Sequence, residues 1–151
     1  MSGELTEVLD SAIYKEIASQ AMYEVAQQKT DDPAARGLLR ELAGQEVKHA
    51  EKLKELKEKG LVKQQWHRDK IADLKISDYL TGGGTLEGAG LQDTLIFAMK
   101  REAESVDFYH KMMGLMRAEE AKQLCAGLAN EELRHKMRLE ILYDRLFYES
   151  D

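Results

Sequence analysis

Several things are scarce in this chain of 151 residues, and each scarcity excludes something. A single cysteine, Cys125, leaves no internal disulfide framework and suits a reducing cytoplasm. A single proline, Pro33, leaves long stretches without a helix breaker. No apolar run is long enough to span a bilayer, and no N-terminal segment has the form of a signal peptide. The expectation is a cytoplasmic protein with no membrane partner. Basic residues never concentrate: 22 Lys and Arg stand against 28 Asp and Glu, for a net charge of −6. They are scattered among acids at helical spacings, as on solvated helix faces, which argues against a nucleic-acid partner. No strand pattern is present either.

What remains is 43% apolar and 33% charged, the make-up of one globular domain over residues 1–151 with a full core. Apolar residues recur at helical period in four segments, about 4–29, 33–59, 91–116 and 118–147. Leu5, Leu9, Ala12, Glu16 and Tyr23 follow one face of the first. The second opens on Thr30-Asp31-Asp32-Pro33, with capping residues and a proline suited to a first turn. Its stripe is Leu39, Leu42, Glu46, His49, Leu53 and Leu56, and Gly60 is a plausible stop. The third stripe is Leu91, Leu95, Ala98, Glu102, Tyr109, Met113 and Met116. The fourth is Leu124, Leu128, Glu132, His135, Leu139, Leu142 and Leu146. The connection at about 60–90 is too long for a tight turn. It carries Trp66, a short apolar pattern through Ile71, Leu74, Ile76 and Tyr79, and then Gly82-Gly83-Gly84. A short helix near 68–80 and a mobile glycine-rich loop are expected there. The fold class is therefore all-α: an antiparallel four-helix bundle, two helical hairpins joined by one long crossover.

The functional signal is a repeat. Shifted forward by 86 residues, Glu16, Tyr23, Glu46 and His49 fall on Glu102, Tyr109, Glu132 and His135. Residues three apart share a helix face, so Glu46 with His49, and Glu132 with His135, can each reach one metal ion. Glu16 and Glu102 lie on apolar stripes and point inward. Four clustered carboxylates there would be costly to desolvate and would repel one another, and cations resolve both problems. Four carboxylates and two imidazoles suit two divalent ions, with two Glu side chains bridging. Oxygen and nitrogen ligands without thiolate favour iron or manganese, with zinc a competitor. Alone, a Glu-x-x-His pair, an inward histidine or a stripe glutamate is a common feature of a helical core; two pairs at one offset from two inward glutamates are not. Tyr23 and Tyr109 fit either core packing or phenols that hydrogen-bond a ligand carboxylate. Met112, Met113 and Met116 read as core fillers. His67 and His110 lie outside the repeat, and Cys125 reads as a small buried residue.

The stretches Tyr14-Lys15-Glu16-Ile17-Ala18, Glu41 to His49, Lys100-Arg101-Glu102-Ala103-Glu104 and Asn130 to His135 resemble the rubrerythrin branch of the ferritin-like superfamily. The resemblance covers essentially the whole chain. It implies a ferritin-like bundle with a non-haem di-iron centre, assembled as a homodimer. Metal ligands would be Glu16, Glu46, His49, Glu102, Glu132 and His135, with Glu46 and Glu132 as bridges. Two departures matter. Rubrerythrins usually carry a rubredoxin-like module with two Cys-x-x-Cys pairs, whereas this chain has one cysteine, so electrons must come from an external donor such as a rubredoxin-like protein. They also place a glutamate three residues beyond the third-helix ligand; here that residue is Ser105, matching Ser19 in the first repeat, and Glu104 lies off the ligand face.

Three functions follow. The first is an oxidoreductase that passes two electrons to hydrogen peroxide or dioxygen. The second is a ferroxidase or iron-handling protein, although the short tail Tyr148-Glu149-Ser150-Asp151 offers little for a storage shell. The third is a non-catalytic metal-binding bundle.

Overall fold

A computed structural model describes residues 3–59, 73, 75 and 90–148. It has four long helices: α1 (Gly3–Gln27), α2 (Pro33–Lys59), α3 (Leu91–Leu115) and α4 (Glu119–Tyr143). A π-helical turn, Asp144–Tyr148, follows. Among the described residues there is no strand, and the expected all-α bundle is what forms. Of the short helix expected near 68–80 only Asp73 and Lys75 are described, and neither is helical, Lys75 having a left-handed φ of 55°; Trp66, His67 and the triple glycine lie outside the described residues.

Local chemistry sets the helix ends. Asp32 caps α2, its Oδ2 accepting the Ala35 N–H at 2.8 Å, with Pro33 in the first helical position. α4 lacks a cap from its own flank. Glu4 of α1 supplies one from across the bundle, its Oε1 accepting the N–H groups of Arg117 at 2.8 Å and Ala118 at 2.7 Å. Those bonds hold the Glu4 carboxyl below its ordinary pKa.

α1 packs along α2, and α3 along α4, as two hairpins. Asp10 near the start of α1 meets Lys57 near the end of α2, and Tyr23 near the end of α1 meets Phe97 near the start of α3. α1 is thus antiparallel to both, which makes α2 and α3 parallel. Lys59 and Leu91 therefore lie at opposite ends of the bundle, about 37 Å apart for helices of this length. Asp73, described between them, pairs with Lys136 of α4 at 2.6 Å.

The core is divided. One cluster holds Tyr23, Leu39, Leu42, Leu95, Met99, Leu139 and Tyr143. The other holds Leu5, Leu9, Ala12, Leu53, Tyr109, Leu124 and Leu128. Each fully buried leucine contributes about 1.5–3 kcal/mol of transfer free energy. The predicted stripes are inward as expected except at Leu146, which is 48% exposed. The fourth helix leaves α-geometry after Tyr143, and the wider π-turn rotates Leu146 off the inner face.

Candidate metal centre

Between the two apolar clusters lies a polar layer to which every helix contributes. Glu16 comes from α1, Glu46 and His49 from α2, Glu102 from α3, and Glu132 and His135 from α4. All four glutamates are at most 4% exposed. Glu16, Glu46, His49 and Glu132 can each place one ligand atom within 4.8 Å of the others, and so can Glu102, Glu132 and His135. Glu132 belongs to both groups. His49 directs Nδ1 at Glu16 Oε2, 3.7 Å away, and His135 directs Nδ1 at Glu132 Oε2, 3.8 Å away. The two rings stack with centroids 4.7 Å apart and planes 4° from parallel. The i,i+3 spacing on facing helices is what aligns them.

The electrostatics are those of a crowded acidic pocket. Burial, and then the charge of Glu132, raise the Glu16 carboxyl from 4.5 to about 8. The same two causes hold Glu102 well above the usual carboxylate range. Glu132 goes the other way: burial opposes its charge, but the polar groups of Glu102, His135 and Glu16 gathered around it outweigh that and hold its pKa below the ordinary value. Without metal, one carboxylate thus stays charged while two neighbours keep protons. Burial also opposes a charged His49, yet the Glu16 carboxylate 3.7 Å away and the other surrounding carboxylates raise its pKa on balance.

Metal fit can be read from the donor atoms. Glu46 Oε2, Glu102 Oε2 and His135 Nδ1 are buried without a hydrogen-bond partner. Buried polar atoms are normally paired; among the described residues the one other unpaired atom of this kind is Arg101 Nε, so three of four belong to predicted ligands. Four carboxylates with two imidazoles fit two divalent ions in charge and ligand type.

Tyr23 and Tyr109 prove to be both core residues and hydrogen-bond donors. Tyr23 Oη donates to Glu102 Oε1 at 3.4 Å, and Tyr109 Oη to Glu16 Oε1 at 3.3 Å, so each phenol crosses to the other hairpin. Burial, then the nearby carboxylates, raise both phenols well above their usual pKa and keep them protonated. Met116 is buried and packs, with Met112 and Met113 against it, in the second apolar cluster. Cys125 is fully buried, its thiol pushed up to about 11 by burial, and His110 is exposed.

Some features escaped the sequence. Lys136, 3% exposed, is bonded to Asp73 at 2.6 Å and approaches Glu140, which is fully buried, at 3.4 Å. An i,i+4 Lys–Glu pair reads as a solvated face; the signal that these two are buried is their place on the α4 stripe beside Glu132, Leu139 and Tyr143. Lys15 Nζ donates to Ser105 Oγ across the α1–α3 seam, and no spacing rule points to that contact. A groove of about 200 Å³ between α2 and α4, walled by Leu38, Leu42, Leu139 and Leu142, reaches the His135 ring.

A layer of four glutamates and two Glu-x-x-His histidines inside an antiparallel four-helix bundle defines the ferritin-like class of carboxylate proteins that hold a pair of metal ions. The chain belongs to the rubrerythrin family, whose description matches residues 7–143, and it is thereby a di-iron carboxylate protein. Among solved structures it is similar to a hypothetical protein from Pyrococcus furiosus, at 24% identity and a TM-score of 0.54, with 97% of this chain and 93% of that one covered. That likeness concerns the fold. No curated protein matches the chain. Among the described residues, no helix is long and apolar enough to cross a membrane.

Proposed function

We propose that the protein is an oxidoreductase that reduces hydrogen peroxide or dioxygen at a di-iron centre, with electrons from an external donor such as a rubredoxin-like protein. The supporting observation is the mid-bundle layer of six inward ligands, three of whose donor atoms are buried and unpartnered. When bound, the iron pair supplies the two electrons that such a reduction needs. The chain's residues do the rest. Glu16, Glu46, Glu102 and Glu132, with His49 and His135, hold the ions, and their four negative charges offset those of two divalent metals. Tyr23 and Tyr109 fix the carboxylates of Glu102 and Glu16 by hydrogen bonds from the opposite hairpin. The apolar clusters above and below exclude bulk water, and the α2–α4 groove offers a small oxidant a path to the His135 side.

The protein acts in the cytoplasm as a homodimer. α1 leaves Tyr14, Ile17, Met22 and Val25 between 40% and 76% exposed along one face, an apolar stripe that a second copy would cover. Ferroxidase or iron-handling activity is the second reading, supported by Ser105, which offers no additional carboxylate beside Glu102.

Anaerobic loading with Fe(II), an iron count per subunit, and mixing with peroxide or oxygen test these readings. About two irons with rapid peroxide consumption is the expected result. Tens of irons point to storage, and bound but unreactive iron to a non-catalytic bundle. Undiminished binding after Glu46→Ala with Glu132→Ala would sink the metal centre, and preferential retention of manganese or zinc would replace iron as the metal.

A further inference from the structure

The groove between α2 and α4 has more room, and a different lining, than a water-sized oxidant needs. Its volume is about 200 Å³. A cavity of about 150 Å³ already accepts benzene, and one water takes about 30 Å³.

The lining is graded along the bundle. Spacings of i, i+4 and i+7 put Leu38, Leu42 and Gln45 on one face of α2, and His135, Leu139 and Leu142 on one face of α4. Each set covers about two helical turns, about 10 Å. The leucines line the end away from the metal layer. His135, and Gln45 beside Glu46, line the end next to it. A ligand that matches this grading has an apolar body and a polar end, with the polar end toward His135. The rim selects no ion, because Arg138 and Glu41 are both exposed there and carry opposite charges.

We infer that the groove binds small neutral organic hydroperoxides, with the alkyl or aryl body between the leucines and the O–O group at the His135 end, and that the protein reduces them. The inference rests on the di-iron oxidoreductase reading above and names a substrate class for it. In the reduction the O–O bond breaks. Two electrons from the rubredoxin-like donor and two protons from solvent are taken up, and the products are the alcohol and one water. The leucines contribute binding and orientation only.

Calorimetry of the metal-free protein with 2-phenylpropan-2-ol, the alcohol formed from cumene hydroperoxide, reads the groove without turnover. Saturable binding is expected. Leu142→Trp, which fills the outer end, weakens it about tenfold, equivalent to about 1.4 kcal/mol. Leu38→Gln, a smaller change on the facing wall, weakens it in the same sense, and Leu142→Met, of similar volume, preserves it. Circular dichroism checks that each variant is folded. With iron and a rubredoxin-like donor, the wild type reduces both cumene hydroperoxide and hydrogen peroxide. Leu142→Trp lowers the kcat/KM ratio of the first over the second about tenfold, through KM. Absence of alcohol binding in the wild type, or undiminished binding in both Leu142→Trp and Leu38→Gln, overturns the inference. So does an equal fall for both peroxides in Leu142→Trp, which makes the groove a plain path. Turnover of hydrogen peroxide alone overturns the inference and leaves the oxidoreductase reading in place; turnover of neither peroxide removes both.

Discussion

Removing metal should invert the pH dependence of this protein's stability. In the metal-free state, burial and Glu132 raise the Glu16 carboxyl from 4.5 to about 8, and Glu102 is raised for the same reasons. Between those pH values the folded protein holds protons that the unfolded chain has released. The associated stability is complete below pH 4.5 and is lost as pH rises through about 8. Each such group costs about 1.4 kcal/mol per pH unit. From pH 5 to 7, Glu16 alone removes about 3 kcal/mol, and Glu102 acts in the same sense, against a total stability on the order of 5–15 kcal/mol for a domain. His49, also raised, adds to the loss above its unfolded value of 6.5. The depressed Glu132 has the opposite sign, but its stability fades only as pH falls below 4.5, outside this window. Bound metal displaces the protons, so affinity, and with it the stability of the loaded protein, climbs with pH. Urea unfolding followed by circular dichroism at pH 5, 6 and 7, with chelator and with excess Co(II), makes the comparison. A chelated protein as stable at pH 7 as at pH 5 would refute the reasoning.

Other perturbations give narrower outcomes. Tyr23→Phe and Tyr109→Phe each remove one long hydrogen bond to a ligand and should weaken Co(II) binding by up to about tenfold while the fold persists. Calorimetry of each variant measures this, and unchanged affinity would return the tyrosines to packing alone. Lys136→Met leaves Glu140 buried without its ammonium and should cost about 3–5 kcal/mol in urea unfolding. Most of that should return in Lys136→Met with Glu140→Leu; a single-variant cost under about 1 kcal/mol would mean the pair is solvated. Asp32→Ala removes the α2 cap and should cost about 1 kcal/mol, with Asp32→Asn close to neutral in the same assay.

The four helices were legible because their inward stripes hold strict helical spacing, and the metal layer because two stripes repeat the same polar interruption. Where a feature depended on a partner distant in the chain, spacing was silent. Glu4 is an unremarkable first-turn acid until α3 and α4 bring Arg117 and Ala118 to it. Lys136 and Glu140 carry the spacing of a solvated pair, yet their place on the inner stripe of α4 buries both, and the Asp73 that Lys136 meets comes from a distant part of the chain. Leu146 keeps the register of the fourth stripe but loses the face, because one wider turn changes the angular step.

Glu132 sits in both donor groups, and its position in the chain has a mechanical meaning. An ion shared by Glu16 and Glu132 ties two points 116 residues apart, joining one hairpin to the other. In polymer terms that is a cross-link, and closing a loop of about 100 residues is worth about 4.7 kcal/mol by the chain-entropy estimate used for disulfides. A protein with one cysteine can make no such covalent tie within its own chain. The metal layer supplies a reversible one, and it joins the hairpins at the level where their apolar clusters are interrupted.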